Sequence, residues 1–158
     1  MSLGSPRFPV LRLIRVNLGS QSWLLPREAH LATVEMDSLS PYLESKPGVL
    51  GETQWQGQTL PVFHPGAILG LEESSGVLSC LELLNGFTGY PHLRAYSFSL
   101  AEPPVHLSIE HQNMQLIPVT SPIPGYEVVS EDQRIDGLVS PDMLYVEKLL
   151  LNSFRSSH

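Results

Sequence analysis

The sequence predicts a mainly β domain, and three observations carry that expectation. Fourteen prolines and twelve glycines cut the 158-residue chain into pieces, few of them long enough for an independent helix. About nine short runs of β-type residues alternate with turn signals at the spacing of all-β folds. A single open sheet of that many strands would curl or split, so a closed or paired antiparallel architecture follows. The third observation is strict alternation. Arg94, Tyr96, Phe98 and Leu100 share one strand face, and Val105, Leu107 and Ile109 share another beyond the turn Ala101-Glu102-Pro103-Pro104, which predicts a hairpin over Arg94–Glu110.

Taken along the chain, Phe8–Asn17 carries β-type residues, Gly19-Ser20 supplies a turn, and Trp23-Leu24-Leu25 resumes an extended run up to Pro26. A hairpin is the simplest reading. Pro26–His30 suits a short helical turn because proline fits a first helical position, and Leu31–Met36 alternates as a third strand. Asp37–Gly48, broken by Pro41 and Pro47, is expected to be a loop. Val49–Trp55 and Gln58–Phe63 flank Gln56-Gly57, where glycine can take positive φ, and predict a second hairpin. Gly66–Gly70 is a connector. Val77–Leu84 is ambiguous between helix and buried strand, and Asn85-Gly86 ends it either way. Met114–Val119 and Arg134–Val139 are expected strands around a Pro/Gly-rich loop, and Leu144–Phe154 is the best helix candidate. No internal repeat of fixed period is visible.

Composition narrows the function. Sixteen acidic and nine basic residues give a net charge of -7 with no basic run, which argues against nucleic-acid partners and anionic membrane surfaces. Arg12 and Arg15 interrupt the apolar stretch Phe8–Val16, so neither a signal-peptide core nor direct membrane insertion is expected. The expected location is cytoplasmic. Cys80, the one cysteine, excludes an intramolecular disulfide. Among Leu78, Leu81 and Leu83 it reads as an inert packed thiol rather than a nucleophile.

The chemistry of catalysis is missing at the level of motif. There is no Gly-x-Ser-x-Gly elbow, P-loop, dinucleotide fingerprint or His-Glu-x-x-His pair. His106 and Glu110 share a strand face with His111 following, which reads as a solvated polar face rather than a metal site. His64 and His92 each neighbour a proline and read as loop residues. Glu72-Glu73 and Glu131-Asp132 read as solvated turns. The expectation is no catalytic residue, no cofactor and no metal. One rival is a small-molecule-binding or enzymatic β-barrel, with Trp23, Trp55, Tyr96 and Phe98 lining a pocket. Another is an assembly subunit with one self-complementary patch.

Three segments, in order, carry a family resemblance. They are Leu25–His30 with Thr33-Val34-Glu35; Pro47–Val62, which places Gly51, a strand, Gln56-Gly57 and Leu60-Pro61-Val62 in series; and Ile135–Val139 followed by Met143–Leu150. Together they resemble the CheW-like adaptors of bacterial chemosensory arrays. The resemblance implies one domain over residues 8–154, with 1–7 and 155–158 as flexible termini. It implies two small five-stranded β-barrels packed together, with short helices and a C-terminal helix. It also implies a non-catalytic scaffold that links the cytoplasmic tip of a chemoreceptor to a CheA-type histidine kinase, for chemotaxis or pilus-type motility. By analogy, Glu35, Met36, Trp55, Gln56 and Gly57 are the expected partner-binding residues. The sequence departs from the family pattern in three places: Gln56 replaces the arginine of its Arg-Gly pair, Ile109-Glu110 replaces apolar-Asp, and Pro141 falls in the closing helix region.

Overall fold

A computed structural model describes residues 10–71, 77–110, 114–120, 123–130 and 138–155, and among them twelve strands and two α-helices. The chain enters one sheet, leaves it for a second, and returns. β1 (Val10–Asn17) and β2 (Ser22–Pro26) form the predicted hairpin, with Ile14 opposite Leu25. The 3-10 turn Arg27–Ala29, introduced by Pro26, leads into the second sheet. That sheet holds β3 (His30–Glu35), β4 (Ser40–Lys46), β5 (Val49–Trp55), β6 (Gln58–Phe63), β7 (Cys80–Asn85) and β8 (Ala95–Leu100), with helix α1 (Pro65–Leu69) after β6. The chain then returns for β9 (Val105–Glu110), β10 (Met114–Val119), β11 (Gly125–Ser130) and β12 (Leu138–Pro141), and ends in helix α2 (Met143–Arg155).

The strand orders are β10-β11-β12-β2-β1-β9 and β3-β7-β8-β6-β5-β4. The two sheets share one plan. In each, an antiparallel pair (β1–β2 or β7–β8) meets a three-stranded meander through one parallel contact, β2–β12 or β8–β6. One further strand, β9 or β3, covers the far side of the pair. α1 and α2 follow equivalent strands, β6 and β12, and pack against each other. The edge strands β3 and β4 are joined by residues 36–39 alone. So short a link, spanning at most about 17 Å, forces the sheet to curl until its edges approach.

The mainly β fold in two subunits of structure is as expected, with six strands per sheet where the family resemblance implies five. Several sequence expectations are corrected. β8 and β9 do not pair: β8 lies between β7 and β6, while β9 lies beside β1 in the other sheet. The segment Ala101–Pro104 is therefore a crossover, and its two prolines suit an extended passage better than a tight turn with positive φ. The expected loop Asp37–Gly48 contains β4, an edge strand that tolerates Pro41 because its outer side needs no ladder donor. The Pro/Gly-rich loop before residue 134 contains β11. Val77–Leu84 resolves as a strand from Cys80, buried on both faces. The connector at Gly66–Gly70 is α1, closed by Gly70 at φ 68°. Pro141 ends β12 and does not interrupt the helix; Asp142 caps α2, its Oδ1 accepting from Leu144 N at 3.1 Å. Of the expected strand Arg134–Val139, residues 134–137 lie outside the described residues.

Apolar side chains collect in three clusters. Leu24, Leu107, Ile109, Val128 and Leu138 fill the first sheet, and Leu60, Val62, Leu81 and Leu83 fill the second. The largest cluster lies between the sheets. Along β2, Trp23 and Leu25 face it while Leu24 turns inward, as the two-residue strand period demands. Trp23 meets Phe98 edge-on across the sheets at 6.1 Å, and Tyr96 packs on both Phe63 and Phe98. α2 adds Met143, Val146, Leu150 and Leu151, the apolar stripe of an amphipathic helix.

Glu147, fully buried on the same helix, is the exception to that apolar face. Its carboxylate accepts from the Phe87 and Thr88 backbone N–H groups at 2.9–3.0 Å, from the Thr88 hydroxyl at 2.7 Å and from the Tyr96 hydroxyl at 2.6 Å. Gly86, just before that loop, has no room for a side chain: a Cβ there would lie 1.9 Å from the Leu93 carbonyl. Glu147→Ala strands these donors, so a loss of about 3–5 kcal/mol is expected, read as a lower urea midpoint. An unchanged midpoint would contradict the role assigned to this carboxylate.

Burial and the adjoining Glu147 carboxylate push the Tyr96 phenol well above its ordinary 10.0. The folded chain thus keeps a proton that the unfolded chain releases above that value. Stability from this group is fully present below about pH 10 and falls as pH rises further. Tyr96→Phe should flatten the fall in urea midpoint above about pH 10; an equally steep decline in the variant would assign it to other groups.

Candidate functional site

The five residues expected to bind partners lie on the second sheet. β3 ends at Glu35, which is exposed opposite Cys80, and Met36 opens a 3-10 turn, Met36–Ser38. Met36 and Trp55 are half-buried and pack on the same cluster, that of Leu60, Val62, Leu81 and Leu83. The Thr53 hydroxyl, buried in β5, donates to the Ser38 carbonyl at 3.0 Å and ties this turn to the β5–β6 hairpin. The fold thus seats Met36 and Trp55 on one support, with Glu35 at the turn. Gln56 and Gly57 stand exposed at the hairpin tip.

That tip is strained. Gln56 has φ 47° and Gly57 φ 78°, so both central residues of the Trp55–Gln58 turn are left-handed. Such a turn matches the twist of its strands but favours Asn, Asp or Gly at its first position. Gln56 is the one non-glycine residue with positive φ among the described residues. A non-glycine side chain in this region costs about 1–2 kcal/mol, which singles out the side chain as a candidate for function. Gly57 is there for the turn.

A cleft of about 460 Å³ opens beside this hairpin, lined by Tyr42, Glu52, Thr59, Arg94, His92 and Phe154 among others. Burial, helped by Glu52, raises the Tyr42 phenol. A second, more apolar groove of about 610 Å³ crosses from the first sheet to the loop held by Glu147. Pro26, Phe87, Pro118, Tyr126, Pro141 and Leu144 line it. Phe87, Tyr126 and Leu144 are 39%, 47% and 67% exposed. An apolar surface of this kind suits protein contact. The sequence reading missed the groove because its walls come from strands of the first sheet, the start of α2 and the loop at Phe87, which are far apart in sequence.

The residues weighed for chemistry are placed as follows. Cys80 is buried, its Sγ 3.9 Å from the Leu100 carbonyl. Burial pushes its thiol up, and so do Glu82 and Glu102, against a Ser79 hydrogen bond. His64 Nδ1 lies 3.0 Å from the Ser99 hydroxyl, and His92 rests against Phe154. Leu107 and Ile109 are buried, whereas His106 and Glu110 face outward, as the alternation requires. No group of three His, Cys, Asp or Glu side chains suited to a metal occurs among the described residues. Glu72-Glu73, His111 and Glu131-Asp132 lie outside them. Trp23, Tyr96 and Phe98 are fully buried in the core, so the four aromatics do not line a shared pocket. None of the described helices is long and apolar enough to cross a membrane.

No protein-family model matches the chain, and no curated protein matches it. Among solved structures, the scaffolding protein TtCheW from Thermoanaerobacter tengcongensis matches with a TM-score of 0.66 at 11% sequence identity. The match covers 91% of this chain and 90% of that one. The fold is CheW-like along almost its whole length.

If the strain at Gln56 serves its side chain rather than the fold, Gln56→Asn should raise stability by about 0.5–1 kcal/mol, seen as a higher denaturation midpoint at unchanged slope. A lower midpoint would show that Gln56 supports the hairpin itself.

Proposed function

We propose that this chain is a non-catalytic cytoplasmic scaffold that joins a CheA-type histidine kinase to the cytoplasmic tip of a chemoreceptor in bacterial chemosensory signalling. The single observation that carries the proposal is the CheW-like fold, matched over 91% of this chain and 90% of a scaffolding protein. The arrangement of the surface supports it. A scaffold needs two separate contact surfaces and no reactive group, and the thiol here is buried with its pKa raised. The apolar groove around Phe87 and Tyr126 and the hairpin at Gln56 offer two such surfaces on different sheets.

In this reading Glu35, Met36, Trp55, Gln56 and Gly57 form the receptor-facing site. Met36 and Trp55 supply apolar contact, Glu35 charge, Gln56 an amide held outward, and Gly57 the turn. Glutamine keeps hydrogen bonding where the family pattern has arginine, but loses the charge and the planar fork. The receptor that fits here is therefore one that does not demand a guanidinium.

The test is direct binding of the purified chain to a receptor cytoplasmic fragment and to a kinase regulatory domain from the same organism. Gln56→Arg lies outside the core and should change receptor affinity by about ten-fold, equivalent to about 1.4 kcal/mol, with kinase affinity unchanged. Unaltered affinity for both would remove the hairpin from the receptor site. Failure to bind either protein would remove the scaffold reading.

A further inference from the structure

The seam between the sheets brings together two histidines that the proposed scaffold role does not use. His30 opens β3, an edge of the second sheet, and His106 lies on β9, an edge of the first. Their ring centres are 5.1 Å apart with planes at 84°. His30 Nδ1 lies 2.6 Å from Glu82 Oε2, and Glu82 Oε1 accepts from the Thr33 hydroxyl at 2.7 Å. Glu82 is fully buried, the His30 side chain is 22% exposed and His106 faces solvent.

We infer that His30 and His106 form a two-histidine site for a borderline transition-metal ion that ties the two sheets together at their edges. With Nδ1 engaged by Glu82, Nε2 is the one His30 ring nitrogen left to ligate. A carboxylate behind a histidine is the arrangement that orients a metal-binding imidazole and raises its basicity. Two imidazoles bound to one ion at about 2.0–2.1 Å through nitrogen, at a tetrahedral angle, place their ring centres roughly 5 Å apart. The observed ring-centre separation is that of such a pair.

No third His, Cys, Asp or Glu completes the set among the described residues, so water fills the remaining positions and the ion exchanges readily. Two charges bear on it in opposite senses. The Glu82 carboxylate favours a cation, and the Arg27 guanidinium, donating to the Leu107 carbonyl at 3.2 Å beside His106, opposes one. Imidazole suits Cu²⁺, Ni²⁺ and Zn²⁺, with Cu²⁺ bound most strongly.

The test uses the untagged full chain titrated with Cu²⁺ and followed by electron paramagnetic resonance. One ion per chain with nitrogen coupling from two imidazoles is expected, together with a higher thermal midpoint on adding Zn²⁺. His106→Ala, at an exposed position, should fold normally by circular dichroism yet lose affinity about ten-fold or more, and Glu82→Gln should weaken it about ten-fold. His92→Ala should match the wild type. Equal binding by wild type and His106→Ala would place the ion on other histidines and overturn the inference. No binding by the wild type would reduce the pair to an edge-on ring contact and overturn it equally.

Discussion

The carboxylate of Glu147 is the interaction on which the rest of the structure depends. It rides on α2, which continues directly from the first sheet, yet the groups it holds belong to the loop and strand of the second. A buried charge costs several kcal/mol unless its lone pairs are satisfied. Here four donor groups converge on two oxygens, and three of those donors are themselves buried or half-buried and in need of an acceptor. Hydrophobic packing between the sheets, being non-directional, would tolerate many relative settings. The carboxylate selects one. It also fixes the 86–90 loop and so determines where Phe87 stands at the rim of the apolar groove.

The common plan of the two sheets explains how a chain of this size leaves two separate accessible regions. Each curled sheet fills its own interior with a small cluster, and the outward face of its central pair is spent on the partner sheet. What remains accessible is hairpins, edges and the helix surface. Gln56 and Gly57 occupy one such tip, and Tyr126 and Leu144 border the other accessible region. A surface of this sort can hold proteins apart or together without bond-making chemistry, which is the sense in which the fold and the proposed scaffold role agree.

Local pattern was legible and long-range pairing was not. Alternation disclosed β8 and β9 correctly as strands, since Tyr96, Phe98, Leu107 and Ile109 are all buried. It could not disclose that they lie in different sheets, because proximity in sequence favours a hairpin and nothing in strand period encodes the partner. The Gln56-Gly57 turn was legible because positive φ has a residue signature; the strain at Gln56 was not, since it appears only in the dihedral angle. Proline misled twice: at β4 an edge position relaxes the usual prohibition, and at β11 the strand starts at Gly125, just past Pro124. Glu147 and the His30–Glu82 pair were invisible as sites. Each looks like an ordinary residue of its element until folding brings in partners 51 to 60 residues away.

The scaffold reading stands or falls on whether one chain holds two partners at once. Native mass spectrometry of an equimolar mixture of this chain, a receptor cytoplasmic fragment and a kinase regulatory domain measures that directly. A ternary complex that disappears when this chain is omitted is the result expected of a scaffold. Binary complexes only, with the two partners displacing each other, would mean a single shared surface and contradict it.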